Sequence, residues 1–129
     1  MQLPDNLKYT ETHEWVRREA DGTVTVGITD HAQEQLGDVV FVDMPAAGRV
    51  LKKGEEAGVI ESVKAAADIY APVSGEIIDS NAALADAPEK INQAPYETWL
   101  FKIKPQDAGE VQNLLDAAGY RKVADADQH

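Results

Sequence analysis

The chain has 129 residues, which is one domain's worth, and its 23 acidic residues outnumber its 12 basic ones. The resulting formal charge of -11 argues against a surface that binds phosphate backbones or anionic lipid. No cysteine is present, so disulfides, thiolate nucleophiles and cysteine-ligated metals are excluded.

The first predicted elements are a pair of strands. Residues 15–17 and the alternating apolar residues of 24–28 flank Asp21 and Gly22, a dipeptide that favours a tight hairpin turn. We therefore expect a β-hairpin in this part of the chain.

A short helix and a buried strand are predicted next. Asp30 and Gln33 form a capping-box pattern that opens a helix, and Gly37 is placed to end it. Residues 39–42 are continuously apolar, which is typical of a strand buried on both faces.

The middle of the chain predicts many short strands. Its apolar pieces are separated by Gly or Pro, and they are residues 50, 59–60, 69–70, 73, 77–78 and 99–103. One helical turn is expected at 88–92. The pattern favours a mostly β fold, a small flattened barrel or barrel-sandwich hybrid of short antiparallel strands with short helices.

The C-terminal part predicts one amphipathic helix. Asp107 and Glu110 form a second capping box, and an apolar stripe at helical spacing follows until Gly119. The members of the stripe are Val111, Leu114, Leu115 and Ala118. We expect a single domain over 1–129, with its core at 7–118 and a partly frayed tail at 119–129.

One lysine has unusual surroundings. Lys64 lies about midway between two apolar segments, 59–60 and 69–70, and its next neighbours Ala65 and Ala66 are small. If the two segments form a hairpin, Lys64 is at the exposed tip, where a modifying enzyme can reach its amine. A lysine that only solvates a turn is the alternative interpretation.

The residues around Lys64 resemble those of a known family. The segment 61–77, which begins ESVKA, resembles the lipoyl-attachment region of glycine cleavage H proteins. Further blocks at 8–16, 27–45 and 91–104 resemble the same family in the same order and at similar spacing. The ESVKA motif alone would be weak support for this resemblance. Several blocks in the same order over residues 7–115 make the resemblance specific to this family.

Two related carrier classes fit less well. Biotin carriers usually place methionine on both sides of the lysine, where Val63 and Ala65 stand here. The lipoyl domains of 2-oxo acid dehydrogenases usually have aspartate just before the lysine and belong to longer chains. The resemblance is therefore to H proteins and not to these classes.

The resemblance implies a carrier and not an enzyme, with lipoate joined to Lys64 by an amide. Lipoamide would accept the aminomethyl group of glycine at a pyridoxal-phosphate glycine decarboxylase and pass it to a tetrahydrofolate-dependent aminomethyltransferase. A dihydrolipoamide dehydrogenase that uses FAD and NAD would reoxidise it. Lipoylating enzymes would be further partners.

The resemblance also implies roles for individual residues. Positions important for recognition by lipoylating enzymes match Glu61, Gly48 and Gly75. For both glycines, a turn that needs a positive φ is the alternative reason. In the family a cleft protects the loaded arm, whose cationic amine requires a carboxylate. The candidates are Glu14, the leading choice, with Thr12 and Asp68.

Other features are departures from the family or invite a different chemistry. Ala67 stands where relatives often carry serine, and the stretch 95–99 is one residue shorter than usual and lacks a glycine before its tryptophan. His13 and His31 suggest a metal, but with no third ligand or cysteine we interpret them as structural residues.

Three other functions remain as alternatives. An H-like protein that mainly relays protein-bound lipoate would use the same residues, and an unmodified interaction module would leave Lys64 bare. An enzyme is disfavoured, because no Ser-His-Asp order, metal cluster or phosphate loop is present.

Without an 18-residue apolar run or a leader pattern in 1–7, we expect a cytoplasmic monomer with no nucleic-acid or membrane partner.

Overall fold

The computed structural model describes residues 3–126, which form short strands connected by turns and short helices. The strands are β1 (Lys8–Tyr9), β2 (Glu14–Arg18), β3 (Val24–Ile28), β4 (Val39–Asp43), β5 (Val50–Leu51), β6 (Glu56–Ser62), β7 (Ala66–Tyr70), β8 (Gly75–Ser80) and β9 (Phe101–Pro105). The α-helices are α1 (Asp30–Leu36), α2 (Lys90–Gln93), α3 (Ala108–Gln112) and α4 (Ala117–Ala126), and a 3-10 helix spans Ala82–Ala85.

Within the described residues the strands form two antiparallel sheets. The larger sheet has the order β1-β2-β3-β9-β8-β5, and the smaller one has the order β4-β6-β7. The mostly β, antiparallel prediction is confirmed, and the strands make two open sheets and not one closed barrel.

The main core joins the two sheets. Val26 and Ile103 of the larger sheet and Ile60 and Ile69 of the smaller one belong to a single buried cluster. A second cluster lies where the N-terminal segment meets α4, and in it the ring of Tyr120 stacks on Tyr9 with 5.0 Å between centroids. Both sheets and the last helix are thereby fixed by apolar burial.

The first hairpin and α1 agree with the sequence, except at the helix cap. β2 pairs with β3 in register, and Gly22 in their turn has a φ of 89°. Gly37 ends α1 with a φ of 79°, as predicted. The cap at the start is Thr29 and not Asp30, because the Thr29 hydroxyl accepts a hydrogen bond from the Ala32 amide.

The interpretation of residues 39–42 as a strand buried on both faces is wrong. These residues do form β4, but the side chains of Val40 and Phe41 are 54% and 50% exposed. The pairing of β4 with β6 shifts register between Val39 and Phe41, and Val40 and Phe41 are both exposed while Val39 is buried. A continuous apolar run cannot distinguish a covered face from an uncovered one.

The prediction of a single C-terminal helix is also wrong. α3 ends at Gln112, and the backbone of Leu115 instead exchanges two hydrogen bonds with Tyr9, at 2.7 and 2.9 Å. That pairing takes Leu115 out of the helix, and Asp116 then caps α4 by accepting from the amide of Gly119 at 2.8 Å. Residues 119–126, expected to be frayed, are helical, whereas 127–129 lie outside the described residues.

Candidate functional site

Lys64 lies at the tip of the β6–β7 hairpin, as the sequence predicted. The last paired residues are Glu61 and Ala66, and the amide of Ser62 donates to the carbonyl of Ala65 at 2.8 Å to close the turn. Lys64 is exposed within this turn. Its amine is therefore presented to solvent by a fixed piece of backbone.

Two residues that the sequence did not single out hold the tip in shape. The hydroxyl of Ser62 accepts hydrogen bonds from the amides of Lys64 and Ala65, at 3.3 and 3.1 Å. The amide of Val63 donates to the carbonyl of Asp38 at 3.0 Å, which ties the tip to the segment before β4. A serine at the first position of a tight turn was the local signal for the first contact.

The side chain of Lys64 lies over the end of α1. A Cβ atom placed on Gly37 would be 3.1 Å from Cε of Lys64. Gly37 is held in turn by Asn92, whose side-chain nitrogen Nδ2 donates to the Gly37 carbonyl at 2.8 Å. Gly37 thus both ends the helix and leaves room for the lysine stem.

A cleft of about 490 Å³ opens where the two sheets meet the segment that follows α3. Its lining residues come from four separate parts of the chain: Tyr9, Thr10, Glu11, Thr12, Glu14, Lys53, Gly54, Tyr70, Ala71, Pro72, Asn113, Leu114 and Leu115. β7 runs from the hairpin of Lys64 to this cleft, because its last residue is Tyr70. One strand therefore links the lysine to the cleft.

Glu14 is a fully buried carboxylate on the wall of the cleft. Its Oε1 accepts from the hydroxyls of Thr10 and Thr12, at 2.6 and 2.5 Å, and its Oε2 accepts from the amide of Tyr70 at 3.4 Å. Burial raises the pKa of Glu14 to about 7, and these hydrogen bonds oppose that rise. The hydrogen bonds to Glu14 come from neutral hydroxyl and amide groups, so a cation in the cleft would interact favourably with its carboxylate.

The predicted arm-docking residues do not all lie together. Glu14 and Thr12 line the cleft, whereas Asp68 lies outside it as an exposed residue in the middle of β7. Thr10 and Tyr70, which also hydrogen-bond to the carboxylate of Glu14, were not among the predicted residues. Tyr70 is 56 residues from Glu14 in sequence, so no local pattern could have paired them.

The three predicted recognition residues differ in setting. Glu61 is exposed beside the tip, and Gly48 occupies a turn with a φ of 94°. The turn explanation is therefore correct for Gly48. It is wrong for Gly75, a strand residue where an added Cβ would lie 2.2 Å from the carbonyl oxygen of Lys104. Close approach of β8 and β9 requires that glycine.

A buried polar network supports the strand that carries Glu14. His13 has a positive φ of 75°, which is unusual for a residue other than glycine. Its Nδ1 is 2.7 Å from the hydroxyl of Tyr120, which also lies 2.7 Å from the hydroxyl of Thr29. This contact agrees with a structural role for His13 and anchors α4 to the residue that precedes Glu14.

The shortened loop before β9 is held against the body of the protein. The carbonyl of Pro95 accepts from the indole nitrogen of Trp15 at 2.9 Å, and the hydroxyl of Tyr96 accepts from the amide of Asp30 at 3.1 Å. The loop therefore has a defined structure without a glycine before Trp99.

Comparison with known proteins decides the family. The family model described as glycine cleavage H-protein matches residues 7–127. The chain belongs to the glycine cleavage H-protein family. A glycine cleavage system H protein of Nitrosospira multiformis is 58% identical over 129 residues, with 100% of both chains covered. One of Methylococcus capsulatus is 62% identical over 123 residues, covering 95% of this chain and 97% of its own.

A solved structure agrees in fold. The crystal structure of a glycine cleavage system H protein from Mycobacterium marinum matches with a TM-score of 0.84 and 40% identity, covering 93% of this chain and 97% of its own. The family consists of lipoate-bearing carriers and not of catalysts, so the chain is a carrier. Within residues 3–126, none of the helices is long and apolar enough to cross a membrane.

Proposed function

We propose that this chain is the lipoyl carrier of a glycine cleavage system and that lipoate is attached to Nζ of Lys64. The observation that carries the proposal is an exposed lysine on an ordered hairpin tip, joined by one strand to a cleft with a buried carboxylate. Family membership supports the same assignment.

The surroundings of Lys64 suit the attachment chemistry. The deprotonated amine attacks the carbonyl carbon of an activated lipoyl group, the new amide forms, and the activating group leaves with the bonding electron pair. The amine proton passes to a base of the lipoylating enzyme or to solvent. The small, exposed neighbours Ala65 and Ala66 leave the path to Nζ open. Glu61, Gly48 and Gly75 are proposed to help lipoylating enzymes recognise the hairpin.

With lipoate on Nζ, Lys64 would supply a dithiolane disulfide able to accept the aminomethyl group as glycine loses CO2 and to release it at the aminomethyltransferase, and the dihydrolipoamide dehydrogenase would reoxidise the resulting dithiol. The chain presents Lys64 on an exposed tip, from which the arm would enter a recessed active site. From Ala66 to Tyr70, β7 spans about 13 Å. An arm of about ten bonds, on the order of 14 Å, matches that length.

The cleft is proposed to shelter a cationic amine on the arm. Glu14 supplies the opposite charge there, and the hydroxyls of Thr10 and Thr12 hold its Oε1 in place. A charge-assisted hydrogen bond to Glu14 would be stronger in this buried setting than in water. Asp68, on the exposed face of β7, is proposed to contact the arm between tip and cleft.

The partners are proposed to be the glycine decarboxylase with pyridoxal phosphate, the aminomethyltransferase with tetrahydrofolate and the dihydrolipoamide dehydrogenase with FAD and NAD. Lipoylating enzymes act on the same hairpin. The chain would work as one domain and as a monomer in the cytoplasm. Its net charge of -11 favours steered, short-lived contacts with basic surfaces.

Mass spectrometry tests this proposal directly. We expect protein from a lipoylating host to carry one lipoyl increment on Lys64, and Lys64→Arg to abolish both the increment and glycine–CO2 exchange with purified decarboxylase. Lys52→Arg, a change at another exposed lysine, is the matched control and should behave like the parent. Exchange that survives in Lys64→Arg would refute the assignment of the carrier residue.

A further inference from the structure

Three large apolar side chains are exposed around the tip that carries Lys64. Val40, Phe41 and Val63 are 54%, 50% and 70% exposed. Exposed apolar side chains are individually common, but clusters of them mark interaction sites. We call these three residues the tip patch.

The fold brings the tip patch together from separate segments. Val63 precedes the lysine, and its amide bonds to the carbonyl of Asp38, just before β4. Phe41 is the cross-strand neighbour of Glu61, which is itself paired with Ala66. All three of these paired residues are exposed, so Phe41 lies on the open face of the sheet whose hairpin ends at Lys64.

Carboxylates surround this apolar surface. Exposed acidic residues lie before, along and opposite β4, and they are Asp38, Asp43, Glu61 and Asp68. Apart from Lys64 the immediate surroundings are thus apolar at the centre and negative at the rim. A complementary partner has an apolar recess with Lys or Arg around it.

Reach identifies which partner covers the patch. An enzyme that uses the attached group meets its reactive end about seven bonds beyond Nζ, on the order of 9 Å away. An enzyme that attaches the group must bring its reacting carbonyl into bonding contact with Nζ itself, so its surface must close over the residues next to Lys64. Shielding of the reaction from water then requires contact with Val63 and its neighbours.

We propose that the tip patch is the docking surface for the lipoylating enzyme, with Phe41 as its anchor. The inference rests on the proposed lipoylation of Lys64 and adds the surface that selects the hairpin. An aromatic side chain that is half exposed in the free protein and buried in a complex is the type of residue that dominates interface energies.

Lipoylation kinetics on the full chain test this inference. The unmodified protein is incubated with an ATP-dependent lipoate ligase, lipoate and MgATP, and the mass increment on Lys64 is followed over time. We expect Phe41→Ser to lower kcat/KM for lipoylation by about tenfold, mainly by raising KM. Val63→Ser should also lower kcat/KM. Phe41→Leu should restore most of the rate. Ala118→Ser is the control, because Ala118 is an exposed apolar residue of α4, which carries none of the proposed recognition residues.

A second readout separates the lipoylating enzyme from the enzymes that use the arm. Each variant is lipoylated to completion and then assayed for glycine–CO2 exchange with the decarboxylase, where Phe41→Ser should stay within about twofold of the parent. Equal kcat/KM for Phe41→Ser and Ala118→Ser would refute the tip patch while leaving Lys64 as the acceptor. An exchange defect as large as the lipoylation defect would refute the assignment to the lipoylating enzyme. If the parent gains no mass on Lys64, the proposed function fails and this inference fails with it.

Discussion

Replacing Glu14 with Gln should change how stability depends on pH. Gln has nearly the same shape but cannot ionise, so the variant removes the charge and keeps the volume. In the parent, burial raises the pKa of Glu14 from 4.5 to about 7, so the folded state holds this proton more tightly than the unfolded state does. The group therefore stabilises the fold below pH 4.5, and that contribution is lost as the pH rises to 7.

The size of the effect follows from the two pKa values. A rise from 4.5 to about 7 corresponds to about 3 kcal/mol, and about 2.5 kcal/mol of it falls between pH of about 5 and about 8.5. No discount for solvent screening applies, since Glu14 has no exposed surface. The parent should lose about 2.5 kcal/mol relative to Glu14→Gln across this range.

Urea unfolding at the two pH values measures this difference. Whichever end of the side-chain amide in Glu14→Gln faces the amide of Tyr70, the resulting offset is the same at both pH values and cancels. Other titrating groups are common to both proteins and cancel as well. A difference between parent and variant that stays constant within about 0.5 kcal/mol would show that the buried carboxylate is not destabilised by burial.

Three further predictions concern backbone packing, the buried network and surface charge. Gly75→Ala should lower the unfolding free energy measured in urea by about 3 kcal/mol, because the new Cβ would clash with the carbonyl of Lys104. Gly48→Ala should lower it by only about 1 kcal/mol, from backbone strain alone. Equal losses would contradict the distinction between a steric clash at Gly75 and a strained turn at Gly48. Tyr120→Phe should lower the urea unfolding free energy by about 1–3 kcal/mol, because His13 and Thr29 each lose a hydrogen bond to the Tyr120 hydroxyl. A near-zero change would count against the network. Affinity for the decarboxylase, measured by calorimetry, should fall as salt rises from about 0.05 to about 0.5 M, and salt-independent binding would contradict a role for the net charge of -11.

Local sequence patterns determined the hairpins and the end of α1. Alternating apolar residues, tight turn residues and Gly37 act within a few positions of one another, so their consequences do not depend on distant partners. The position of Lys64 at an exposed tip follows from the same local pattern. The local pattern left two interpretations of Lys64, a modified carrier lysine or a lysine that only solvates a turn. The ordered blocks shared with the family favoured the carrier.

Tertiary packing decided which apolar residues are exposed and where the last helix breaks. Phe41 belongs to an apolar run that could equally be buried, and only the open face of the smaller sheet leaves it half exposed. Leu115 fits a helical stripe, but pairing with Tyr9, over 100 residues away, removes it from the helix. Long-range backbone pairing overrode a weaker local preference.

The cleft is the clearest case of a feature that only the fold could provide. The sequence places a glutamate at position 14, and the resemblance to the family proposes its role. Its burial and its contact with the amide of Tyr70 exist because β7 lies against the start of β2. Charge, residue type and turns are properties of neighbouring residues, whereas burial and the pKa it sets are properties of segments that meet only in the folded chain.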